Sequence, residues 1–223
     1  MRASSDRVRG GGLAMRARDG VWVGLVVLAL CLTLAVKRFA YLPGDVALTR
    51  LVQSLLPASD GWARLLSSSA EVPWVLGLVV VTFLLSRAIA GWRAAFLSLA
   101  AFAGMWLLGR WLGPLIGQPR PSPALVHVAG SPSGSAFPSL FALRYAATLG
   151  YLAVLAAVRA KGGVRWTVVL VCAVLMLAGG FARLALGAHW PSDVGLSYLI
   201  GLLWVALLVR FTRQAGAQRC NEQ

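Results

Sequence analysis

Histidine is scarce in this chain: of 223 residues only His127 and His189 are histidines. The second stands in the segment FARLALGAHWPSD, with Arg183 upstream and Asp193 downstream in the pattern Arg-x5-His-x3-Asp. A carboxylate that binds one ring nitrogen of an imidazole fixes its tautomer and leaves the other nitrogen free as base or nucleophile. An arginine nearby adds a planar fork matched to phosphate oxygens. Each residue also has a plain structural use, as an interfacial His, a snorkelling Arg and a helix-capping Asp. Together, in a chain with only 7 acidic residues, they read as phosphate chemistry at a histidine. Ionisable groups at the edge of a membrane are functional candidates by default.

The elements that must hold these residues are membrane spans. Hydrophobic residues make up 59% of the chain and charged residues only 13%, about half the charged share of a soluble domain. The apolar residues come in blocks of span length. The sequence predicts an all-α, polytopic protein with six transmembrane helices, near residues 21–36, 72–90, 94–112, 139–158, 166–186 and 191–211. Pro191 suits the first position of the last helix. That puts Asp193 in its first turn, within reach of the His189 ring. The first block resembles a signal peptide in its basic start, but Lys37-Arg38 closes it rather than a small-residue cleavage site, so it is expected to stay as a span. Residues 46–56 have helical apolar spacing and form either an interfacial helix or a short soluble one. Residues 113–138 are a loop rich in Gly, Pro and Ser.

The formal charge of +14 does not indicate a nucleic-acid partner. The basic residues sit at the ends of apolar blocks, where the positive-inside rule and anionic lipid place them. With the N-terminus in the cytoplasm, Arg87, Arg93, Arg159, Lys161, Arg165, Arg210, Arg213 and Arg219 all fall on the cytoplasmic side. The expected organisation is a basic cytoplasmic segment 1–20, a six-span domain 21–211 and a cytoplasmic tail 212–223. The loop 113–138 and the turn around His189 then share the outer face of a bacterial inner membrane, on the periplasmic or exterior side. Cys31, Cys172 and Cys220 form no CxxC spacing, so neither a metal site nor a disulfide framework is expected. Tryptophans at span ends, such as Trp22, Trp74, Trp111, Trp166 and Trp190, read as interface anchors.

The segment ARLALGAHWPSD resembles the third motif of the type 2 phosphatidic acid phosphatase (PAP2) family, Ser-Arg-x5-His-x3-Asp, with Ala182 at the Ser position. Gln118-Pro119-Arg120-Pro121 resembles the end of the first motif, Lys-x6-Arg-Pro, with Gly113 where the Lys belongs. For the second motif, Pro-Ser-Gly-His, two segments compete. Phe137-Pro138-Ser139-Leu140-Phe141 runs straight into the fourth span and has Phe141 at the His position. Pro132-Ser133-Gly134-Ser135 keeps Pro-Ser-Gly but has Ser for His. The resemblance spans roughly residues 70–210.

This resemblance implies a metal-independent lipid phosphatase without a cofactor. His189 would attack phosphorus and form a phosphohistidine, and Asp193 would orient it. Arg120, Arg183 and Ser139 would bind the phosphate, and the start of the fourth helix would point N–H groups at it. The absent acid, the missing second-motif His, typically contributes about 10²–10⁴-fold. Its loss matters less when the leaving group is itself a phosphate, so a polyprenyl diphosphate is favoured over phosphatidic acid. The alternative is a degenerate member that binds phosphorylated lipid without turnover. His127 is either an ordinary loop histidine or a substitute acid. Arg110 and Arg144 either reach the phosphate in place of the lost Lys or snorkel. The sequence carries no signal for oligomeric state.

Overall fold

The computed structural model describes residues 2–57, 59–131 and 133–220, and among them every regular element is helical. In chain order these are α1 (Arg2–Arg38), α2 (Asp45–Leu55), α3 (Gly61–Ser68), α4 (Trp74–Ala90) and α5 (Trp92–Ile116). They are followed by α6 (Leu140–Arg159), α7 (Gly162–Ala185) and α8 (Pro191–Cys220). Five helices are long and apolar enough to cross a membrane, and α4 is a shorter apolar helix of 17 residues. At 1.5 Å per residue α4 reaches about 26 Å, the lower limit for a span. The chain is an all-α polytopic membrane protein of six spanning helices.

Local chemistry sets the boundaries. Gly91, at φ +82°, breaks the chain between α4 and α5. Gly117, at φ +67°, ends α5 with its N–H on the Gly113 carbonyl at 2.9 Å, a left-handed cap that glycine takes most readily. The third span therefore runs past the expected 112 and carries Pro114 in its last turn. Pro191 opens α8, where its fixed φ suits the helix and its missing N–H costs nothing. Helix α1 continues without interruption from the expected span 21–36 back to Arg2. Met1, and residues 221–223 of the tail, lie outside the described residues.

Helices α6 and α8 form the centre. The span window of α6 is 72% buried, against 11% for α1. Tyr151 of α6 donates to the Ala94 carbonyl of α5 at 2.7 Å, and Tyr198 of α8 to the Met176 carbonyl of α7 at 2.7 Å. Close helix approach rests on small residues, as is usual in lipid. A Cβ at Gly201 of α8 would collide with Ala146 of α6. On α7, Leu170, Val174, Leu177 and Phe181 remain exposed at helical spacing. Such a stripe would be a liability in water but matches hydrocarbon.

Residues 146–150 of α6 form a π turn, in which the Thr148 hydroxyl donates to the Arg144 carbonyl at 2.8 Å. Such turns often occur at functional sites, and this one follows directly on the stretch that holds the cavity-lining Phe141 and Arg144. Helices α2 and α3 lie over the same end of the bundle as loop 117–139 and the α7–α8 turn. Residues 46–56 thus fall on α2, and α3 was not foreseen.

Candidate active site

Helix α7 closes with Leu186, Gly187 and Ala188 returning N–H groups to Ala182, Leu184 and Arg183 at 3.1, 2.9 and 3.1 Å. Gly187 sits at φ +58°, and a Cβ there would strike the His127 carbonyl. Only glycine fits a left-handed turn pressed this closely against another strand of chain. His189 follows, held at 2% exposure. Its Nδ1 is 2.7 Å from the Ala136 carbonyl. A carbonyl can only accept, so Nδ1 carries the proton and Nε2 keeps its lone pair. His189 also lines a cavity of about 750 Å³, within the usual size range of ligand sites. Burial first, and then the charges of Arg183 and Arg120, push its pKa well below the ordinary value of 6.5. The ring is neutral at physiological pH.

Asp193 does not hold this ring, contrary to the sequence expectation. Its Oδ2 accepts the Trp190 N–H at 2.9 Å, the reach-back of a capping carboxylate in the first helical turn. The backbone of loop 117–139 has taken over the orienting contact. Asp193 is fully buried, and its Oδ1 has no hydrogen-bond partner among the described residues.

Arg120 bridges the loop and the turn. Its Nε donates to the Ser133 and Gly134 carbonyls at 3.0 and 3.1 Å, and its Nη1 to the Ala188 carbonyl at 2.6 Å. Nη2 makes no hydrogen bond among the described residues, on a side chain that lines the cavity. Burial lowers the Arg120 pKa from its ordinary value, with Asp193 opposing. Arg183 lines the same cavity and makes no hydrogen bond among the described residues, its Nε being buried without a partner. Its guanidinium carbon lies 5.7 Å from the centre of the Phe141 ring, a cation–π distance.

Ser139 departs from expectation. It is fully buried and caps α6, its Oγ accepting the Ala142 N–H at 3.4 Å, while its own N–H donates to Ser197 Oγ at 2.9 Å. Pro138, Leu140 and Phe141 line the cavity, whereas Ser139 does not. Of the rival second-motif segment, Pro132 lies outside the described residues; Ser133, Gly134 and Ser135 line the cavity. Arg110, Gly113 and Arg144 line it too. Arg144 does not snorkel: its Nη1 donates to the Ala70 carbonyl at 2.7 Å. His127 is elsewhere, with Nε2 3.3 Å from Asp60 Oδ1, in a separate hollow of about 240 Å³.

Sequence reasoning missed the brace that holds the His189 turn. Asp45, at the start of α2, accepts the Ser192 N–H at 2.9 Å and its hydroxyl at 2.7 Å. Gln53, two turns on, donates to the carbonyls of Leu184, Ala185 and His127 at 3.1, 3.3 and 2.8 Å, and accepts the His127 N–H at 3.1 Å. The only signal was polar residues on an otherwise apolar helix.

A bundle of spanning helices with a neutral histidine and arginines around a cavity at one end defines a polytopic membrane protein with a cationic cavity. The model of the PAP2 superfamily matches residues 91–217, and the chain belongs to that family. The fold is similar to the crystal structure of the first transmembrane PAP2 type phosphatidylglycerolphosphate phosphatase from Bacillus subtilis. That likeness has a TM-score of 0.66 at 20% identity, covering 85% of this chain and 94% of the other. No curated protein matches the chain. The family match begins at Gly91, so α2 and its brace lie outside it.

Proposed function

We propose that the chain is a metal-independent lipid phosphatase that cleaves a lipid-linked phosphate or diphosphate, polyprenyl diphosphate in preference, through a phosphohistidine at His189. The observation that carries this reading is the commitment of Nδ1–H to the Ala136 carbonyl, which leaves the Nε2 lone pair for a cavity walled by Arg120 and Arg183. Nε2 attacks the terminal phosphorus, the bond from phosphorus to the lipid-side oxygen breaks, and that oxygen leaves with its electron pair. Water then cleaves the N–P bond and regenerates His189. The two guanidiniums take up charge on the phosphoryl oxygens. Asp193 and Ser139 act one step removed, by fixing the turn and the α6 terminus. Phe141 offers no proton, so a phosphate leaving group, stable as an anion, is favoured over an alkoxide.

The basic ends 1–20 and 212–223 place both termini in the cytoplasm of a bacterial inner membrane and the His189 cavity on the periplasmic or exterior face. The test is phosphate release by the purified protein in detergent with EDTA, from farnesyl diphosphate and from phosphatidic acid. His189→Ala is expected to lower release by roughly a thousandfold or more, with the diphosphate the better substrate. Equal release by variant and parent overturns the mechanism. Phe141 against Arg183 favours a second reading, a protein that binds phosphorylated lipid without turnover. Absence of release from either lipid by folded protein selects it.

A further inference from the structure

The His189 cavity holds more cation than one phosphate uses. Four guanidiniums, of Arg110, Arg120, Arg144 and Arg183, line it against a single carboxylate, Glu71. A phosphate monoester carries at most about two negative charges. Arg120 and Arg183 flank His189 and already present enough N–H groups for its oxygens. Arg110, exposed at the mouth, and the half-buried Arg144 are surplus, and like charges lining one hollow repel unless an anion joins them.

These two come from other walls. Arg144 lies one turn beyond Phe141 on α6, with Nη1 on the Ala70 carbonyl at 2.7 Å, so the rest of its fork is uncommitted. Arg110 is on α5 and makes no hydrogen bond or ion pair among the described residues. Beside Ala70, Ser67 lines the cavity at 5% exposure, and its buried Oγ has no hydrogen-bond partner. A buried hydroxyl with no partner among the described residues, in the wall of a cavity, is a place where a bound polar group would be matched.

We infer that Arg110, Arg144 and Ser67 form a second anion subsite, which holds the inner, lipid-attached phosphate of a diphosphate while the outer phosphate lies at His189. The inference rests on the proposed phosphatase reading for the placing of the outer phosphate. It adds the group that makes a diphosphate the better ligand. In turnover the inner phosphate is the leaving group, so these residues take up the charge that forms when the bridging P–O bond breaks. That electrostatic help stands where a proton donor is absent, since Phe141 supplies none. Glu71 competes weakly for Arg144 from the exposed rim.

The subsite is tested by equilibrium binding, which needs no turnover. His189→Ala protein in detergent is titrated with farnesyl diphosphate, farnesyl monophosphate and inorganic pyrophosphate, alone and with Arg110→Gln, Arg144→Gln or Arg120→Gln added. Each lost charge-assisted contact is worth about tenfold or more in affinity. Arg110→Gln and Arg144→Gln are expected to weaken the diphosphate by roughly tenfold each and the monophosphate by less than about threefold. Arg120→Gln should weaken both alike. Arg144→Lys should recover part of the loss, and unchanged melting temperatures report intact folding. Equal losses for the two farnesyl ligands, or none, overturn the subsite. Pyrophosphate binding as tightly as farnesyl diphosphate overturns the lipid source. A protein that releases no phosphate yet shows the selective loss keeps the subsite and discards the phosphatase.

Discussion

Phe141→His is the substitution that most directly probes what the site lacks. Phe141 is the second residue of α6, 5% exposed, on the wall of the His189 cavity. Its ring lies 4.2 Å from that of Tyr145 and 5.7 Å from the Arg183 guanidinium. An imidazole is smaller than a phenyl ring and fits the same space. The cost is the aromatic pair, about 0.5–1.5 kcal/mol, and part of a buried apolar ring, for a total of about 1–3 kcal/mol. The gain is a proton donor. Positioned proton transfer is worth about 10²–10⁴-fold, and the lower end suits a ring introduced without a partner built to orient it. A hundredfold gain lowers the barrier by about 2.7 kcal/mol. It should fall on phosphatidic acid, whose leaving group is an alkoxide, and hardly touch farnesyl diphosphate. The assay is phosphate release from both lipids at pH 6 and pH 7, beside a thermal melt. The ratio of phosphatidic acid to diphosphate turnover is expected to rise by roughly ten- to a hundredfold. A folded variant whose two rates rise together, or do not change, refutes the claim that leaving-group protonation is the missing function.

Other perturbations follow from the same geometry. Because the His189 pKa lies well below 6.5 in the folded protein, the acid limb of the rate profile should fall below pH 6.5, and a limb centred at or above 6.5 would contradict the buried neutral ring. Stability has the same sign. Below about pH 6.5 the unfolded chain binds a proton at position 189 that the folded one refuses, so the parent should lose melting temperature relative to His189→Ala as pH falls through that range. Gln53→Ala removes the donor shared by three carbonyls around the turn. It should cost about 1–3 kcal/mol of stability and lower kcat more than it raises KM. A change in KM alone would mean that the brace does not position the nucleophile.

The sequence made some parts of this molecule plain and hid others for identifiable reasons. Span-length apolar blocks reveal the bundle because hydrocarbon leaves the backbone no choice but a helix. Pro191 and Asp193 mark the start of α8 through chemistry local to one turn. Arg120, Arg183 and His189 are legible because motif spacing survives in them, and the structure brings all three to one cavity. The Ala136 carbonyl is illegible, since any residue has one. The π turn at 146–150 leaves no compositional trace. Asp45 and Gln53 act across long stretches of chain, on Ser192 and on residues 127, 184 and 185. Nothing in local spacing reports such partners. Arg144 was ambiguous because snorkelling and cavity lining look the same from position alone; the Ala70 carbonyl, one loop away, decides it.

The contact from Ala136 to His189 is made by main chain, and that changes how the site can be altered. A side-chain carboxylate in that role disappears with one codon; a peptide carbonyl does not. A scan that replaces every residue in turn would leave a carbonyl at position 136, and larger side chains at the fully buried Ala136 would act on it only through crowding. The imidazole keeps this contact as long as the backbone at Ala136 stays in place. The loop is tied to the His189 turn by Arg120 and by the Ala129 N–H on the Leu186 carbonyl at 2.9 Å. Phe141 where the family motif has a histidine therefore leaves the His189 tautomer untouched, since the Ala136 carbonyl fixes it. An amide-to-ester replacement at the peptide bond after Ala136, which weakens that one acceptor, would reach what no coded substitution can.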